Sequence, residues 1–277
     1  MSASKLGRGF IALTEWSPRL RKLLWHWFYN KLAAKDTAGQ LLFMNYGYIK
    51  EGEQEGDFAL ALRSEDEPFR STIQLYQHVI EDIGLQDKEV LEVGCGRGGG
   101  GSFLLRYHAP RFYTGVDLSE SAIQWCKQHK QFSNALWLQG SAEALPVADA
   151  NVDVVINVES SHCYPSMPRF LGEVMRTLRP GGYFAFCDVR TRAGAKQLEQ
   201  DFAEAGLEVL KCQAITDEVL RALKLVSSQR EQQIMSSVPR LLQPAFRDFA
   251  GMQDTGLYTM MLKGEAVYIC CLLQKKV

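Results

Sequence analysis

The sequence predicts an α/β fold: a mostly parallel seven-stranded sheet with helices on both faces, plus added lid helices at the N-terminus and in the C-terminal region. Three observations carry this. Short, nearly all-apolar runs such as Val152–Asn157 alternate with amphipathic stretches, the mark of strands buried on both faces. A glycine cluster at 94–101 follows the first such run and precedes a helical stretch. The alternation then breaks at 216–250, where two helical patterns follow one another.

Each element has a local cause. Residues 68–84 read as a helix ending at Gly84, and Glu89–Val93 as the first strand. A helix through Phe103–Tyr107 leads to a second strand, Phe112–Val116, ending at Asp117. Ser119 suits the cap of a helix over 120–131, ahead of a third strand at Leu136–Leu138. Val152–Asn157 is the fourth strand, and the helix Pro168–Leu178 is stopped by Pro180-Gly181-Gly182. Tyr183–Asp188 is the fifth strand, helix 193–205 stops at Gly206, and a strand at 207–213 follows. Asp217–Met235 and Pro239–Phe249 are helical, and 266–274 returns to β character. Near the N-terminus, Ser17-Pro18 suits a helix start, and Leu20, Leu23, Leu24, Trp27, Phe28 and Leu32 then recur at helical spacing.

A chain of 277 residues is long for one α/β domain and short for two. Residues 68–277 are therefore expected to form the main domain, with a helical insertion at 216–250, and residues 1–67 a helical covering segment. A hydrophobic fraction of 46% supports a large core without disulfides. A net charge of -1 offers no basic field for nucleic acid. The seven cysteines form no C-x-x-C pair, so neither a metal site nor a secreted disulfide framework is expected. Most sit in apolar runs and read as small buried hydrophobes. The expected compartment is reducing and cytoplasmic. No apolar run approaches the roughly 20 residues of a membrane span. The N-terminal helix carries Trp25, Trp27, Phe28 and a basic rim. It reads as a lid over a pocket, with an interfacial helix making peripheral contact with a membrane as the other reading.

The chemistry concentrates in three blocks. In Val90-Leu91-Glu92-Val93-Gly94-Cys95-Gly96-Arg97-Gly98 the glycines allow a sharp turn and close approach of a ligand. Such a turn also serves nicotinamide dinucleotides. Glu92 argues for a ligand with an ammonium group, since a pyrophosphate would be repelled. Asp117, about 20 residues after the glycines, has the spacing of an acid on ribose hydroxyls. Gly140-Ser141-Ala142-Glu143 follows the third strand and can edge an adenine ring.

These blocks, with Leu178-Arg179-Pro180-Gly181-Gly182, resemble class I S-adenosylmethionine (SAM)-dependent methyltransferases over roughly residues 68–277. The resemblance implies a Rossmann-like fold and SAM as cofactor. It implies SAM contacts from Glu92, Gly94, Cys95, Gly96, Asp117, Leu118, Ser141, Ala142, Glu143 and Asn157. Members often carry Asp where this chain has Ser141, so Ser141, Ala142 and Glu143 together are expected to meet the adenine. A narrower likeness lies in Phe43-Met44-Asn45-Tyr46-Gly47-Tyr48, in Asn157-Val158-Glu159-Ser160-Ser161-His162-Cys163-Tyr164-Pro165, and in the tail Phe249-Ala250-Gly251 … Gly264-Glu265-Ala266-Val267-Tyr268. These resemble the phthiotriol/phenolphthiotriol dimycocerosate methyltransferases, which O-methylate lipidic alcohols.

On the acceptor side, His162 is the candidate general base, because its charge changes near neutrality. Glu159 is placed to orient it or to touch a ligand, and Asp188 is a weaker polar candidate. Tyr46, Tyr48 and Tyr164 are candidate acceptor contacts. The apolar faces at 216–250 favour a small hydrophobic acceptor. The expected reaction is O-methylation of a lipid- or polyketide-like hydroxyl, with C-methylation of an isoprenoid or sterol-like alkene as the alternative. A non-catalytic SAM-binding protein is the reading from another class, and the intact glycines and acids argue against it.

Overall fold

The structure is a computed structural model that describes residues 42–52, 60–237, 243, 247–248 and 250–276. The expected N-terminal helix from Ser17, and with it the lid or membrane contact, lies outside the described residues. So does most of the expected helix at 239–249.

Seven strands form one sheet in the order β3-β2-β1-β4-β5-β7-β6. They are β1 Glu89–Val93, β2 Phe112–Asp117, β3 Ala135–Gln139, β4 Val152–Val158, β5 Leu178–Thr191, β6 Leu207–Ala214 and β7 Ala266–Lys275. The pairings among β1 to β5 are parallel, whereas β7 runs antiparallel to both β5 and β6. The helices are α1 Arg70–Ile80, α2 Gly99–Tyr107, α3 Glu120–His129, α4 Met167–Thr177, α5 Arg192–Glu204, α6 Thr216–Ser237 and α7 Gly256–Leu262.

Alternation along each strand feeds two cores. Ala185 and Cys187 point to one face with Ile73, Val79, Phe103 and Ile123 of α1 to α3. Phe184 and Phe186 point to the other, with Phe170 of α4 and Phe202 of α5. The Phe184–Phe202 and Phe186–Phe202 rings meet edge to face, and burying each such side chain contributes about 1.5–3 kcal/mol.

The elements follow the sequence closely, with three departures. The first helix is shorter than 68–84: Pro68 lies in a 3₁₀ turn, Glu67–Phe69, and the α-helix begins at Arg70. The fifth strand starts at Leu178, not Tyr183. Leu178 already pairs with Val152, and a register shift then absorbs Arg179–Gly182 before Tyr183 pairs with Val154. Cys212 and Cys271 are opposite one another on β6 and β7 and form a disulfide, where only buried apolar cysteines were expected. Cys95, Cys126, Cys187 and Cys270 do remain free and buried. Among the described residues, no helix is long and apolar enough to cross a membrane.

Strand order reverses between β1 and β4, so the loops after β1, β2 and β4 diverge and leave a crevice at their carboxyl ends.

Candidate active site

A cavity open to solvent fills that crevice. Gly94–Arg97 line it after β1, Asp117–Ser119 after β2, Gly140–Glu143 after β3, and Val158–Ser160 with Cys163–Pro165 after β4. Leu42–Asn45 complete the lining on a further side.

The glycine turn approaches its neighbours very closely. Gly94 has φ +81°, and a Cβ there would stand 2.3 Å from Ser160 Oγ. Asp117 braces this turn: its Oδ2 accepts from Gly96 N at 2.9 Å and its Oδ1 from Ser119 N at 2.8 Å. Asp117 also lines the cavity. The later glycines serve packing: a Cβ on Gly100 would stand 2.2 Å from the Tyr76 ring.

That packing explains where Glu92 lies. It is 1% exposed and does not line the cavity. Its two oxygens accept from the Tyr76 hydroxyl at 2.7 Å and the Tyr113 hydroxyl at 2.5 Å. Glu92, expected to meet an ammonium group, thus stands behind Tyr76, which does line the cavity. Burial raises the Glu92 carboxyl to about 7, although the two phenols pull it down. A carboxyl raised on folding stabilises the fold fully below its unfolded value and loses that contribution as pH rises through about 7. Glu92→Gln is therefore expected to flatten the loss of thermal stability between roughly pH 5 and 8, by up to on the order of 3 kcal/mol. Thermal melts of both proteins across this range check it; parallel curves would refute it.

Three other expected cofactor residues also differ in placement. Ser141 Oγ accepts from Glu143 N at 3.3 Å and shapes its loop. Glu143 Oε1 is buried without a hydrogen-bond partner among the described residues, and Glu143 belongs to the cavity wall. Asn157 is fully buried and off the wall. Its Nδ2 donates to Val93 O at 2.8 Å, Ser160 Oγ at 2.8 Å and Tyr164 OH at 3.0 Å. It clamps the loop after β4 to the end of β1.

After β4, Glu159 lines the cavity. Its φ of +46° places a non-glycine residue in the left-handed region, a strain of order 1–3 kcal/mol that such sites often carry. Oε1 accepts from Tyr46 N at 2.6 Å and from the Tyr268 hydroxyl. Burial raises this carboxyl to about 7, against the pull of Tyr268 and Tyr46 N; Asp188 raises it and His162 lowers it.

His162 is bound differently from a free base. Its Nδ1 lies 2.7 Å from Asp188 Oδ1, and its backbone N donates to Asp188 Oδ2 at 3.0 Å. Burial opposes protonation of the ring, but Cys163 and Asp188 outweigh it and hold His162 well above its ordinary value. Asp188 is fully buried, and burial there is overcome by Arg190 and His162, which keep its carboxyl well below the usual range. Of the turn Ser161–Cys163, Cys163 lines the cavity and His162 does not. Tyr46 is buried beside Glu159, whereas Tyr48 stacks on His78 at 4.3 Å away from the cavity. Tyr164 lines it.

The comparisons with known proteins agree with this geometry. The methyltransferase-domain family matches residues 91–186. The phthiotriol/phenolphthiotriol dimycocerosates methyltransferase of Mycobacterium leprae is 38% identical over 247 residues, spanning 89% of this chain and 90% of that protein. The chain belongs to the SAM-dependent methyltransferases. A fatty-acid O-methyltransferase of Mycolicibacterium smegmatis is 39% identical over 80% of the methyltransferase and 78% of that protein. Among solved structures, geranyl diphosphate C-methyltransferase from Streptomyces coelicolor superposes with TM-score 0.66 at 16% identity, covering 92% of this chain and 98% of that one. The [4+2]-cyclase SpnF superposes with TM-score 0.68 at 18% identity, covering 90% and 95%. At such identities the likeness is one of fold, and a cyclase on the same fold shows that chemistry lives in the site.

The cofactor is S-adenosylmethionine, and the cavity fits it. Gly94 leaves room for close backbone approach, and the Asp117 and Glu143 carboxylates stand on the cavity wall, Glu143 Oε1 buried without a partner among the described residues. Sequence reasoning missed Tyr268, Arg97 and the cavity face of Leu42–Asn45. The tail motif around Tyr268 was the one signal for the first of these.

Proposed function

We propose that the methyltransferase O-methylates a neutral hydroxyl on a small lipid-like acceptor, with Glu159 as the proton acceptor. The observation that carries this is Glu159 itself: a cavity-wall carboxylate whose Oε1 is committed to Tyr46 N and Tyr268 while Oε2 has no partner among the described residues. Bound SAM supplies an electrophilic methyl on a sulfonium. The acceptor oxygen forms the new O–C bond as the C–S bond breaks, and its proton passes to Glu159 Oε2. A group raised to about 7 suits that transfer near neutrality.

His162, paired with Asp188 and off the wall, fits better as an imidazolium that favours ionised Glu159 than as the base. Asp117 and Glu143 hold the ribose and adenine, and the Gly94 turn receives the amino-acid end. Leu42, Phe43, Met44 and Pro165 supply an apolar wall for an alkyl chain and keep water from the reacting oxygen. A fatty-acid carboxylate is the less suited acceptor, because it would meet ionised Glu159 and like charges repel.

The test is transfer from methyl-labelled SAM to dodecanol, 4-dodecylphenol, dodecanoic acid and a terpene alkene, with products identified by mass. Methyl ethers of the alcohol or phenol are expected, with acid-side loss of rate below about pH 7. Methyl ester alone, or a C-methylated alkene alone, would refute the reading.

A further inference from the structure

The tail motif ending in Tyr268 has no part in cofactor binding, yet it reaches the acceptor site. Tyr268 is 0% exposed in β7, opposite Val189 of β5. Its backbone is fixed at both polar atoms: its N donates to Thr216 Oγ1 at 3.0 Å and its O accepts from Ile215 N at 2.8 Å, both at the start of α6. Its ring lies 6.4 Å from that of Tyr46. Its hydroxyl donates to Glu159 Oε1 and makes the side-chain hydrogen bond that Glu159 has among the described residues.

We propose that Tyr268 is a positioning residue of the methyl-transfer site: its hydroxyl holds Glu159 Oε1 and so turns Oε2 towards the acceptor. This rests on Glu159 being the proton acceptor. Glutamate has three rotatable side-chain bonds, and a carboxylate free to rotate would spend little time in line with a bound hydroxyl. Two donors on one oxygen, Tyr46 N from the covering segment and Tyr268 from the sheet, remove that freedom. Tyr268 cannot itself take the proton. Burial and the neighbouring Glu159 push its hydroxyl well above its ordinary value, so it stays neutral and donates. Groups from several packed elements reach this point, among them Tyr76 of α1 and Cys187 of β5, each of which Glu159 helps to keep protonated. Besides Tyr46 and Tyr268, Asp188 of β5 disfavours ionised Glu159, while His162 of the 3₁₀ turn favours it. Arg230 of α6 also acts on Glu159 with the sign of an opposite charge. Arg230 is anchored by donating to Asn45 O and Ala250 O. Removing the phenol oxygen leaves these charges in place and takes away a donor that stabilises the carboxylate.

The test is Tyr268→Phe in the full chain, with two readouts. Difference infrared spectra between wild type and Glu159→Gln isolate the Glu159 carboxyl stretch in the absence of acceptor. Its titration midpoint is expected to rise by about one pH unit in Tyr268→Phe. Turnover with 4-dodecylphenol is expected to fall about 10-fold, with S-adenosylhomocysteine affinity unchanged. An unmoved midpoint overturns the proposal even if turnover falls. If Tyr268→Phe does not fold, Glu159→Asp keeps the carboxylate but draws it back from the phenol. Its Asp carboxyl stretch should then titrate higher than that of Glu159, and a midpoint at or below the wild-type value overturns the proposal. Full turnover in Glu159→Gln would instead refute Glu159 as base, while a midpoint shift in Tyr268→Phe would still report the contact, so the two failures are distinguishable.

Discussion

Asp117→Ala is expected to weaken SAM binding at least 100-fold, measured as the Kd of S-adenosylhomocysteine by calorimetry. Two losses combine. In the proposed reading the carboxylate accepts from the ribose hydroxyls, and hydrogen bonds to a charged group contribute about 1.5–3 kcal/mol each. It also braces the loop that must receive the cofactor, by accepting from Gly96 N at 2.9 Å and Ser119 N at 2.8 Å. A pair of such losses at about 1.4 kcal/mol per factor of ten accounts for the expected change. Asp117→Asn separates the two parts. Its one amide oxygen can still accept from Gly96 N or from ribose, so an intermediate loss is expected. An alanine variant that binds within about 3-fold of wild type would remove Asp117 from the cofactor site.

Much of this was legible in the sequence, for local reasons. A buried parallel strand must be apolar, and the chain must turn sharply after it, so strand ends and glycines mark out Asp117 and Gly94–Gly96, which line the cavity. Glu92 shows the limit. It lies on the same strand, but alternation puts it on the face shared with Val90, towards Tyr76 and Tyr113, and not on the cavity. Which face meets the cavity depends on packing with α1 and α2, which no short motif records. His162 and Cys163 show the same limit at one-residue scale, since a 3₁₀ turn sends neighbours in different directions and only Cys163 reaches the wall. Tyr268 is 109 residues from Glu159, and only the antiparallel placing of β7 beside β5 brings them together. The Pro180-Gly181-Gly182 stop was read correctly as a helix end, but a strand with a register shift can begin before such a turn is complete.

Glu159→Gln is expected to lower kcat by about 10²–10⁴, the range for loss of a positioned general base, while S-adenosylhomocysteine affinity stays within about 2-fold. Glutamine has the same shape, and its oxygen can still accept from Tyr46 N and Tyr268, so the loop should keep its form. What it lacks is basicity. In wild type the carboxyl is raised to about 7 by burial, so the reactive, ionised form grows as pH rises through that value. The rate should therefore climb from acid to neutral pH in wild type and show no such climb in the glutamine variant. Stability moves the other way. The folded carboxyl prefers its proton, so ionising it above about pH 7 costs folding free energy that glutamine does not lose. A variant that is slower yet more heat-resistant at pH 8 is the signature of a group kept for chemistry at the expense of the fold. His162→Ala makes the contrast. It removes a cation that favours ionised Glu159 and leaves buried Asp188 with Arg190 as its remaining charge partner. It should slow turnover by less than Glu159→Gln, shift the acid limb to higher pH and destabilise the protein. If His162→Ala abolished activity while Glu159→Gln kept most of it, the histidine would be the base and Glu159 its support.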